Sequence, residues 1–81
     1  MTVAEWFEDH KNIGFTVDHP KTRAGHKTNV EMWSMDSGVK VFRETVTYGK
    51  LTDMQMVTLL NDMYKEIKQI EVEMKRRLES M

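Results

Sequence analysis

Eighty-one residues leave room for one domain, and so short a chain must bury a large share of its apolar surface to be stable. Its residues are 40% hydrophobic and 31% charged with a net charge of -1, the balance of a folded domain and not of a disordered segment. The absence of cysteine excludes a disulfide framework, a thiolate metal site and a cysteine nucleophile, so the staple that small domains need has to come from elsewhere.

The chain opens on Thr2-Val3-Ala4-Glu5, a capping box in which hydroxyl and carboxylate each satisfy the other residue's backbone amide. A helix from Val3 to about Lys11 is expected, with Val3, Trp6, Phe7 and His10 on one stripe and Asn12 and Gly14 as the stop. Glu5, Glu8 and Asp9 interrupt any apolar run here, so the segment reads as neither a secretory signal nor a membrane span, and a cytoplasmic location is expected.

Alternation of Ile13, Phe15 and Val17 with Gly14, Thr16 and Asp18 predicts a short edge strand from Phe15 to Asp18, closed by Pro20. From His19 to Lys27 no large apolar side chain occurs, and this stretch reads as an exposed basic loop carrying Lys21, Arg23 and Lys27. Residues Asn29 to Met35 and Val39 to Tyr48, rich in β-branched, aromatic and methionine side chains, predict a hairpin around Asp36-Ser37-Gly38. A three-residue loop with Gly38 in the left-handed conformation sets Trp33 opposite Val41, Met35 opposite Val39, Glu31 opposite Arg43 and Met32 opposite Phe42. A two-residue turn would instead place Glu31 against Glu44, a like-charge pair, which favours the longer loop.

A second capping box, Thr52-Asp53-Met54-Gln55, starts a helix that no glycine or proline interrupts, spanning residues 52–80. Met56, Leu60, Met63, Ile67, Ile70 and Met74 follow at spacings of four, three, four, three and four, the pattern of a heptad seam, with Arg77 where the next apolar residue belongs. About 29 residues of helix measure roughly 43 Å, whereas a compact chain of this size is only about 30 Å across. The helix should therefore outrun its own domain, its stripe continuing through Ile70, Met74, Leu78 and Met81.

The expected fold is α+β: a short N-terminal helix, a small three-stranded antiparallel sheet and a long C-terminal helix, in the order α-β-β-β-α and as a single domain over residues 1–81. Chemistry is harder to find. His10, His19 and His26 match no compact metal-ligand spacing, and the Asp-His pairs at Asp9 and Asp18 have no nucleophile to serve. Glu31 and Glu44 fit strand-surface positions better than paired acid/base roles. No phosphate-binding, dinucleotide or calcium loop is present, so no enzyme activity, cofactor or small-molecule substrate is expected.

Two binding readings remain. In the first, the chain is a protein-protein interaction module, homodimeric through Leu60, Met63, Ile67, Ile70, Met74 and Leu78, and of the kind that suits a small phage-type accessory or inhibitor protein acting on a host macromolecule. The same stripe also fits simple packing on the sheet, or docking in another protein's groove, for which methionine is well suited. In the second, Lys21, Arg23, Lys27, Lys40 and Arg43 combine with Trp33 and Phe42 into a nucleic-acid-binding face, cations on the backbone and rings on the bases. Interleaved acids and the net charge of -1 oppose that footprint.

Overall fold

The computed structural model describes residues 1–23 and 25–80, and for Lys21 the backbone alone. Its elements are α1 (Val3–Glu8), β1 (Ile13–Asp18), β2 (Lys21–Thr22), β3 (Gly25–Ser34), β4 (Lys40–Thr47) and α2 (Asp53–Ser80). This is the expected α+β order, with one two-residue strand added.

Both helices start as their sequences predict. Thr2 and Glu5 exchange side-chain-to-amide bonds at α1, and Thr52 and Gln55 do the same ahead of α2. Helix α1 stops at Glu8, short of Lys11, with Asp9 as its C-cap. The chain then turns through Lys11 and Asn12 into β1, which starts at Ile13 rather than Phe15.

Strand β3 is the centre of the sheet. Residues 29–33 pair with β1 on one side and β4 on the other, both antiparallel, while β2 shares the edge of β1. The segment read as an exposed loop is more ordered than its composition suggests. Lys21 faces His26, Thr22 faces Gly25, and the Thr22 hydroxyl donates to the Gly25 carbonyl at 2.9 Å.

The hairpin register differs from the expected one. Ser34 N–H donates to the Val39 carbonyl and Gly38 N–H to the Ser34 carbonyl, enclosing a four-residue loop, Met35 to Gly38. Gly38 does take the left-handed conformation, at φ +76, but the longer loop slips the pairing by one residue. Trp33 therefore faces Lys40, Met32 faces Val41, Glu31 faces Phe42 and Val30 faces Arg43. One slipped residue exchanges the faces of the whole strand, so Phe42 joins the face of Trp33 and Arg43 turns towards α2.

Helix α2 lies on the other face. Met56, Leu60, Met63 and Ile67 meet Val30, Met32 and Val41 in the core, with Ile13 and Trp6 closing one side. Trp6, 1% exposed, donates its indole N–H to Asn61 Oδ1 at 2.7 Å and so fastens α1 to α2. His10 stacks on Trp6 with ring centroids 3.8 Å apart, and its Nδ1 lies 2.7 Å from the Trp6 carbonyl, which requires that nitrogen to carry the proton. The Cα envelope measures 49 × 27 × 15 Å, and its long dimension is set by α2.

Candidate interaction surfaces

The heptad stripe of α2 divides into a covered and an uncovered part. Leu60, Met63 and Ile67 are each 0% exposed, enclosed by the chain's own sheet, which removes them from the homodimer contact expected of the six residues. A stripe periodic enough for a coiled coil is equally suited to a sheet, and intramolecular packing forms without a second chain. Ile70 is half-buried. The last anchored position is Glu71, whose carboxyl the Ser37 hydroxyl of the β3–β4 loop holds below the ordinary carboxylate range, helped by Lys68 and Ser34 against the opposing effect of burial. Lys68 lies 3.3 Å from Glu71 and 5.2 Å above the Tyr64 ring, and its pKa is raised, chiefly by its bond to Glu71.

Beyond Glu71, residues 72–80 are all exposed. This arm carries Met74 and Leu78, 43% and 72% exposed, in line with the buried stripe, and Lys75, Arg76 and Arg77 among them. Of the stripe expected to continue beyond the domain, Met74 and Leu78 stand in this exposed part of the helix. Met81 falls outside the described residues.

On the sheet's open face, β3 presents Lys27, Asn29, Glu31 and Trp33, and β4 presents Val46, Glu44, Phe42 and Lys40 directly opposite them. Phe42 is 55% exposed. Two diagonal ion pairs cross the strands, Lys27 with Glu44 at 3.0 Å and Lys40 with Glu31 at 3.6 Å, and Lys40 also lies 5.9 Å from the Trp33 ring. Arg43 is on the opposite face, paired with Glu66 of α2. Arg23 is exposed in the turn after β2, and the Lys21 side chain lies outside the described residues. The proposed nucleic-acid residues are thus not one surface. Lys27, Lys40 and Arg43 each meet a carboxylate, which leaves little uncompensated charge for phosphates.

Among the described residues no three metal-ligating side chains converge and no helix is long and apolar enough to cross a membrane. His19 approaches Thr28 Oγ1 at 3.4 Å, and His26 stands in β3 opposite Thr47. A polar crevice of about 120 Å³ beside His10 is lined by Asp9, Lys11, Tyr64 and Lys68, but His10 itself is committed to Trp6. A larger apolar groove, about 420 Å³, runs beside β4, between Thr45 and Thr47 of the strand and Leu51, Met54 and Leu59.

Comparison with protein-family models, curated proteins and solved structures finds no match. The surfaces therefore have to be read from their own chemistry. One of them escaped the sequence reading: β4 is an edge strand, and among the described residues nothing pairs with its outer side. Its signal is a run from Lys40 to Thr47 with no proline or glycine and with opposite charges at Lys40 and Glu44.

Proposed function

We propose that this chain is a non-enzymatic protein-protein interaction module of the cytoplasm that docks the distal arm of α2, residues 72–80, into an apolar groove on another protein. The observation that carries this reading is an exposed Met74 and Leu78 continuing a stripe whose members Leu60, Met63 and Ile67 are fully buried and whose Ile70 is half-buried. A helix that keeps its apolar face after its own sheet has ended is matched to a partner surface. Methionine at the centre of the stripe adapts to an irregular groove, and Lys75, Arg76 and Arg77 favour a rim lined with carboxylates. Such an arm on a small domain suits an accessory or inhibitor protein, which acts by occupying a surface.

The test is differential capture. Intact protein and an M74E/L78E variant of unchanged circular dichroism are each offered to the same host lysate. A protein retained by the intact chain and released by the variant supports docking through the arm. Identical captured sets from both would sink it.

A further inference from the structure

The outer edge of β4 has backbone groups whose directions follow from the hairpin. Because Ser34 N–H donates to its facing residue Val39, the alternation of an antiparallel ladder aims the N–H and C=O of Val41, Arg43 and Thr45 at β3. Those of Lys40, Phe42, Glu44 and Val46 point the other way, into the open. The Arg43 guanidinium confirms the direction, since it wraps outward to donate to the Phe42 carbonyl at 3.2 Å. That carbonyl keeps a second lone pair for another donor.

We infer that this edge is a homodimer interface, in which β4 pairs antiparallel with β4 of a second copy about a two-fold axis at Phe42. Three observations select that partner and that register. First, the outward amides and carbonyls fall on alternate residues, so Phe42 can exchange both bonds with its own copy while Lys40 and Glu44 exchange theirs with Glu44 and Lys40. Second, the charges are self-complementary. An axis at Lys40, Arg43 or Glu44 would set like charges face to face, and one at Val41 or Thr45 would make no lysine–glutamate pair. At Phe42, the intrachain pairs Glu31–Lys40 and Lys27–Glu44 join into one alternating row, running from Glu31 to Lys40 and on to Glu44 and Lys27 of the second copy. Third, the exposed Phe42 rings meet on the axis, where aromatic pairs are favourable.

Charges on an edge strand commonly keep copies apart. Two residues of opposite sign, four apart and symmetric about an exposed ring, do the reverse in an antiparallel pairing. The same register brings Val39 of the second copy beside Thr45, at the mouth of the apolar groove between β4 and α2. The dimer leaves the α2 arms free, so it does not depend on the docking reading.

The experiment is size exclusion with light scattering on the full chain. Wild type is expected at the mass of two chains. K40E makes the edge acidic and E44K makes it basic, so each alone should fall to the mass of one chain while keeping wild-type circular dichroism. Mixed in equal amounts, the two variants should return to the mass of two, because every lysine–glutamate contact across the axis is restored between unlike copies. M74E/L78E should stay dimeric. A monomeric wild type, which leaves the edge to a foreign strand, overturns the proposal. So does a dimer that K40E and E44K leave intact or that M74E/L78E dissolves, since the interface would then lie elsewhere.

Discussion

Trp33 lies flat across Gly14, its register partner on the neighbouring strand, so closely that a Cβ on Gly14 would fall 2.4 Å from the indole ring. Glycine is used here for close approach and not for an unusual backbone angle, and the ring it admits caps the end of the open face. Gly14→Ala must displace Trp33, because the ring and not a flexible chain end occupies the space. A loss of about 1–3 kcal/mol is expected from the overpacking. Trp6 is 1% exposed and stays in place, so tryptophan emission should shift to the red through Trp33 alone. Unchanged emission and stability would mean that Trp33 does not occupy this position in solution.

What the sequence made legible is local. Both capping boxes and the uninterrupted four-three spacing that makes α2 one long helix rest on neighbours a few residues apart, and both capping boxes and the long helix are present. The register was not legible, because it depends on whether the turn closes at Met35 or at Ser34. Gly38 in the left-handed conformation fits either loop. The choice is made by Ser34, whose carbonyl takes the Gly38 amide and whose hydroxyl takes the Ser37 amide. The like-charge Glu31–Glu44 pairing does not form: Glu31 faces Phe42 and Glu44 faces Asn29. The apolar periodicity of α2 likewise does not say which chain covers it. The sheet covers it as far as Ile67, and that is why half of the expected interface residues belong to the core.

That division predicts different costs along one stripe. Leu60→Ala empties a fully buried site and should cost about 2–5 kcal/mol. Leu78→Ala, at a residue 72% exposed, should stay within about 0.5 kcal/mol. Urea titrations of the two variants make the comparison. Comparable losses would show that the arm is folded back against the domain.

Glu71 ties the last packed turn of α2 to the hairpin loop, and its carboxyl is held below the ordinary range by Ser37 first, with Lys68 and Ser34 adding to it. A group whose folded pKa is depressed stabilises the fold when the pH is above its unfolded value, and that stability is lost as the pH falls through the folded one. The urea midpoint should therefore decline on acidification through and below the carboxylate range. Glu71→Gln should lower the midpoint at neutral pH and flatten that part of the acid limb. A variant with the same acid limb as wild type would separate Glu71 from the linkage.

The hairpin register itself can be read chemically, because the chain has no cysteine to compete. Lys27 and Val46 face each other at a non-hydrogen-bonded site, where the two backbones come closest and a disulfide closes with least distortion. K27C/V46C should oxidise readily to an intrachain bridge. K27C/T47C carries the pairing that the three-residue loop would have made; with Thr47 facing His26 on the opposite face of the sheet, it should remain reduced under the same conditions. Mass spectrometry after alkylation distinguishes the two. The reverse result would return Phe42 to the helix side of the sheet and remove the ring on which the edge pairing is centred.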